Sequence, residues 1–250
     1  MYPAEVKKFK QRLMKINFQE ELIIANKELA FQNSDKEKRA VELTASNVRV
    51  HEAEIRLNKA NRLYSFISHI NKTILRVKDE QTFFDEVCRI AVEIGNFKMA
   101  WIGIADTSKR KIKLLASNGS TDEDIRLLSD KTYHIDGLTD KILHGAEYYA
   151  VPNIQAEDII KWQNYAAARG FISAVSLPLK KSGKVIGTFD MYSSETNFFN
   201  DAEIEMLREV AEDISFAVDL FEKEKIHRDT VKLVFENENR FRALIERTVI

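Results

Sequence analysis

Residues 1–94 and 188–250 contain no glycine, and all eight glycines fall between Gly95 and Gly187. Proline is as restricted: Pro3 stands alone before Pro152, and none follows Pro178. Both residue types mark turns and are disfavoured inside helices. Their distribution predicts long helical stretches on both sides of a turn-rich centre. Such a chain concentrates its compact core in the middle.

The chain carries 38 basic and 39 acidic residues, a net charge of −1. That balance gives no general attraction to nucleic acid or to anionic membrane. Cys88 is the only cysteine, so an intramolecular disulfide is excluded and a cytoplasmic setting is expected. No apolar run approaches the roughly 18 residues of a membrane helix. The opening residues lack the apolar stretch of a signal peptide. Direct membrane insertion is therefore not expected.

Residues 5–62 are rich in Glu, Lys, Gln, Ala and Leu, all good helix formers. Leu22, Leu29, Lys36, Leu43, Val50, Leu57 and Tyr64 recur at heptad spacing. The segment Glu21–Asn26 returns in similar form as Glu42–Asn47, three heptads on. If the leucine column is position d, position a holds Asn26, Asn33 and Asn47 among other polar residues. Asn at a favours two in-register strands at some loss of stability. The pattern predicts a weak parallel homodimeric coil, with Leu22, Leu29, Leu43 and Leu57 in its seam. A solvated single helix is the alternative. At the helical rise the stretch would span on the order of 85 Å.

In the centre, Leu63, Phe66, Ile67, Ile70, Ile74 and Leu75 form a helical stripe. Asp79 or Thr82 is positioned to cap a second helix bearing Phe83, Phe84, Val87, Ile90, Ala91 and Ile94, which Gly95 ends. Residues 98–106 and 111–117 read as a hairpin. Short helices are expected over 121–130, 137–145 and 164–169, and brief strands over 131–135 and 147–151. Residues 173–179 and 184–193 form two strong strands joined by Lys180-Lys181-Ser182-Gly183. Connections this short imply antiparallel pairing. The expected fold class is α+β: one antiparallel sheet of five or six strands flanked by helices.

These segments carry a family resemblance. Residues 62–222 resemble a GAF domain, a small-molecule sensor module of bacterial signalling proteins. The similarity lies in Leu63–Asn71, Phe97–Gly103, Ala168–Ser173, Ser176–Lys180, Val185–Phe189 and Phe199–Glu203, in that order and spacing. Residues 1–61 are similar to the connector helices of multi-domain sensor histidine kinases. Within residues 223–250, Glu238–Glu246 resembles the opening helix of a PAS domain. The resemblance implies a cytoplasmic, dimeric signalling module with long terminal signalling helices. It also implies a small-molecule ligand, downstream signalling domains, and a chain that is a piece or short relative of a larger sensor.

Asn200 or Asp201 opens the last helix. There Ile204, Leu207, Ala211, Ile214, Val218 and Phe221 alternate at spacings of three and four. Leu207, Ile214 and Phe221 are candidate dimer-seam residues, and the same stripe also suits covering the domain's own sheet.

No catalytic constellation stands out. Residues around His69 superficially resemble a phospho-acceptor box, but Ile70 occupies the place of the acidic residue and Ile74 that of the proline. Cys88 sits beside Val87 on an apolar helix face, which suits packing better than chromophore attachment. His134 and His144 lack partners at metal-ligand spacing, so no cofactor or metal is expected. A pocket is expected between the sheet and residues 131–172. Its candidate lining is Trp101, Tyr149, Trp162, Tyr165, Phe171, Ser173 and Tyr192; such aromatic residues also serve as ordinary core.

Overall fold

The structure, a computed structural model, describes residues 3–106, 111–129, 138–156 and 163–248. The chain divides between Asn58 and Lys59 into two units. Helix α1 runs Pro3–Arg76 and supplies the whole of the first unit. In that unit Leu22 is 51% exposed and Leu29, Leu43 and Leu57 are more so. The heptad column therefore finds no cover within a single chain.

The second unit continues with α2 (Glu80–Glu93), β1 (Met99–Asp106), β2 (Lys111–Asn118), α3 (Asp122–Ser129) and α4 (Leu138–Leu143). Then come β3 (Tyr149–Val151), α5 (Gln163–Arg169), β4 (Ser173–Lys181), β5 (Lys184–Ser193) and α6 (Asp201–Thr248). The described strands form one antiparallel sheet in the order β2-β1-β5-β4-β3. This is the expected α+β architecture. The expected strand over 131–135 lies outside the described residues.

Local chemistry fixes the boundaries. The Asp79 carboxylate accepts from the Thr82 backbone N–H at 2.8 Å and caps α2. Asn200 caps α6 by accepting from Ala202 N–H at 3.1 Å. The β4–β5 turn places Ser182 and Gly183 at φ of 50° and 77°, the left-handed pair that a two-residue hairpin needs. At the β1–β5 seam, a Cβ on Gly187 would lie 2.0 Å from the Gly103 carbonyl oxygen. Only glycine permits that approach.

One face of the sheet carries the large core. Ala100, Ile102, Val175, Leu177, Phe189 and Met191 meet Leu63, Phe66 and Ile70 of α1, the apolar face of α2, and α6. Leu207, Ile214 and Phe221 are all buried in this core. In the single chain this stripe is taken up by packing against the domain's own sheet. Leu75 also departs from expectation: it is 87% exposed, at the end of α1 where the chain turns toward α2.

Candidate ligand site on the second face of the sheet

Alternation along a strand sends successive side chains to opposite faces. With Ile102, Val175, Phe189 and Met191 in the large core, Trp101, Ala174, Ser176, Thr188, Asp190 and Tyr192 point to the other side. There a smaller apolar cluster forms from Met99, Trp101, Val151, Ile154, Phe171 and Tyr192, with Tyr149 packed against it. The Trp101 ring folds over Gly103, where a Cβ would meet it at 2.6 Å. Its indole N–H donates to the Tyr192 hydroxyl at 3.4 Å. The Phe171 and Tyr192 rings lie 5.1 Å apart.

Asp190 lies in the middle of this face. Register places it directly between Trp101 of β1 and Ser176 of β4. It is fully buried, and neither carboxylate oxygen makes a well-formed hydrogen bond. The hydroxyls of Ser176 and Thr188, both buried, are also without a well-formed partner. Burial pushes the Asp190 pKa up to about 7, while the neighbouring Thr188 and Ser176 hydroxyls pull weakly the other way. Apart from one another, these four side-chain oxygens have no hydrogen-bond partner among the described residues. Native interiors rarely leave such groups unsatisfied without a reason.

Short elements cover this side. α4 packs on β3, β4 and β5, with Ile142 fully buried. α3 and α5 are tied together through Asp124. Its carboxylate accepts from Thr121, from the Tyr165 hydroxyl at 2.8 Å, and from Arg169 at 2.9 Å. Burial raises the Asp124 pKa, but these hydrogen bonds outweigh it and leave the value lowered. Asp124 is the satisfied counterpart of Asp190.

The expected lining separates into three groups. Trp101, Tyr149, Phe171 and Tyr192 come together. Tyr165 serves the Asp124 tie, and Ser173 has the alternation of Val175 and donates to the Glu195 carbonyl at 2.7 Å. Trp162 and His134 lie outside the described residues. Asp190, Ser176 and Thr188 were missing from the sequence-derived set, although a lone acid inside the apolar run Val185–Tyr192 was a signal. His69 donates through Nδ1 to the Ser65 carbonyl at 2.7 Å, and His144 likewise to Asp140 at 2.8 Å. Cys88 is buried in the large core, and burial drives its thiol pKa upward. Among the described residues no group of His, Cys, Asp or Glu could hold a metal ion.

Beyond β5 the chain is clamped to α1. Lys59 donates to the Phe198 carbonyl, pairs with Glu203 at 3.1 Å, and lies 4.1 Å from the Phe198 ring centre. Arg62 stands 5.2 Å from the same ring and pairs with Glu195 at 3.5 Å. The strand bearing Asp190 therefore leads directly into contacts with both terminal helices. A separate cleft of about 160 Å³ lies against α6, lined by Glu147, Pro178, Lys180 and Arg208 among others.

The sequence model of the GAF domain matches residues 77–219, more than half of the chain. The chain belongs to the GAF domain family. GAF domains are in general sensory and signalling modules that bind small molecules. Solved structures show the same fold. The GAF domain of a phosphoenolpyruvate-protein phosphotransferase from Coxiella burnetii matches with a TM-score of 0.56 at 13% identity, covering 67% of this chain and 98% of that one. The free methionine-R-sulfoxide reductase of Neisseria meningitidis, solved with its substrate, gives 0.55 at 14%, covering 65% and 91%. The phycocyanobilin-bound GAF domain of a cyanobacterial phytochrome gives 0.52 at 12%, covering 65% and 96%. At these identities the likeness concerns the fold. Among curated proteins no relative matches the chain. No described helix is long and apolar enough to cross a membrane.

Proposed function

We propose that this chain is a cytoplasmic sensory module that binds a small molecule on the second face of its sheet and relays occupancy through α1 and α6. The observation that carries this reading is Asp190, fully buried and unpartnered beside an aromatic cluster. A structural acid in this position would be expected to have a donor, as Asp124 has. Two solved structures of the same fold hold small molecules, a reductase its substrate and a phytochrome GAF domain phycocyanobilin.

The relay follows the connectivity. Asp190 and Tyr192 sit on β5, and the segment after β5 meets Lys59 and Arg62 of α1 before α6 begins. A ligand that moves β5 would shift that clamp. Differential contacts of roughly 1–3 kcal/mol suffice to bias a two-state output. In this reading the exposed heptad leucines of α1 pair two copies in parallel, and α6 passes the state to a downstream domain such as the transmitter of a sensor histidine kinase. The module itself performs no catalysis. Its lone thiol lies across the sheet from Asp190 with an elevated pKa, which disfavours thiol chemistry at the site.

Native mass spectrometry of the chain after incubation with the low-molecular-weight fraction of a cell extract tests the reading. A retained small molecule that raises the melting temperature is expected. A chain that retains nothing, and whose melting never moves, would contradict sensing.

A further inference from the structure

The acceptors around Asp190 also restrict what the ligand is. We propose that the ligand carries a hydrogen-bond-donating cation, an ammonium, amidinium or guanidinium group attached to a flat or apolar body, and that Asp190 anchors it. This rests on the ligand-binding reading above and adds the chemical class.

Asp190 offers two unpartnered carboxylate oxygens, and Ser176 and Thr188 each add a hydroxyl, all on the same face of two neighbouring strands. A carboxylate accepts only, and each hydroxyl also has lone pairs to accept with. A ligand bringing several N–H donors would satisfy the set. An anionic ligand would instead meet an acid in a dry interior and be repelled. One carboxylate with two hydroxyls is also too thin a ligand set for calcium, which takes six to eight oxygens.

Trp101 is directly across the strand pair from Asp190, and Tyr192 follows it by two residues on the same face. Phe171 packs on Tyr192. Aromatic faces attract cations and stack on planar groups, so acid and rings favour the same ligand. Among the described residues no cation pairs with Asp190, so its charge is not neutralised from within the fold.

The long helices α2 and α6 occupy the other face with the end of α1. The side bearing Asp190 is covered by the six-residue α4 and by α3 and α5, which are held to one another through Asp124 and a few hydrogen bonds from Tyr165 and Arg169. Short elements joined by few contacts open at lower cost than a packed core.

The test is a charge series on one ring: benzamidine, benzamide and benzoate, titrated into the full chain while the Trp101 indole N–H is followed by NMR. Benzamidine is expected to shift that resonance, with the other two binding at least about tenfold more weakly, the scale of one charge-assisted hydrogen bond. The same loss is expected for benzamidine on Asp190→Asn. Benzamide or benzoate binding as tightly as benzamidine overturns the cation assignment and leaves the ligand site standing. Equal benzamidine affinity in wild type and Asp190→Asn overturns the anchor. Failure of all three compounds to move Trp101 at millimolar concentration counts against both the class and the site. If Asp190→Asn does not fold, Ser176→Ala serves as the variant, with a smaller loss expected, and the series on the wild type still decides the class.

Discussion

The two faces of the sheet are finished differently. On one, three long helical surfaces bury a continuous apolar core around Phe66, Phe189 and Ile214. On the other, a smaller aromatic cluster surrounds a buried acid without a partner, under elements of six to eight residues. The first face holds the fold together. The second face gives up some of that stability, as binding sites commonly do. The contrast separates scaffold from site without reference to any relative.

Large-to-small substitutions probe that contrast most strongly. Phe66→Ala is expected to cost about 3–5 kcal/mol in denaturant unfolding, from lost transfer and an unfilled cavity. Phe171→Ala, on the second face, is expected to cost less than about half of that. Equal losses would mean that both faces are ordinary core.

Next in size is the clamp between α1 and α6. Lys59→Met leaves Glu203 buried without its cation, and a loss of about 3 kcal/mol is expected. Adding Glu203→Gln is expected to recover much of it. An additive double mutant would show that the pair does not act as a unit.

Gly187→Ala forces a Cβ onto the Gly103 carbonyl and is expected to cost about 1–3 kcal/mol. Because the strain falls between β1 and β5, it should also broaden the Trp101 indole resonance. A variant with wild-type stability and an unchanged Trp101 signal would show that the seam has slack.

The smallest effect on the sheet is expected from Asn26→Leu combined with Asn47→Leu. Removing polar a-positions should strengthen self-association in sedimentation while the unfolding midpoint of the second unit stays put. Unchanged association would count against pairing through α1.

Much of this was legible in the sequence. Glycine and proline placement gave the long helices and the turn-rich centre, and strong apolar alternation located β4 and β5. Four aromatic residues of the second face are also visible in the sequence, because large rings within the turn-rich centre are conspicuous. Ser173 and Tyr165 lie apart from that ring cluster for a reason of geometry: one residue of register reverses a side chain's face, and a tyrosine tip can reach a neighbouring helix. Asp190, Ser176 and Thr188 were overlooked because each is unremarkable alone. Only strand pairing shows that Asp190 and Ser176 are opposite one another. The stripe on α6 had two compatible uses, and packing against the sheet takes it up.

Asp190 is buried with no donor beyond its two neighbouring hydroxyls, and pH-dependent unfolding of wild type and Asp190→Asn reports on that burial. An acid raised from 3.8 to about 7 holds its proton in the folded state after the unfolded chain has released it. Wild-type stability should therefore be greatest below about pH 4, fall as pH rises toward about 7, and level off above, relative to the variant. At pH 8 Asp190→Asn is predicted to be the more stable protein by a few kcal/mol, with the gap closing at acidic pH. An Asn variant less stable than wild type at pH 8 would show that the carboxylate is already paired within the fold, and the account of the second face would be wrong.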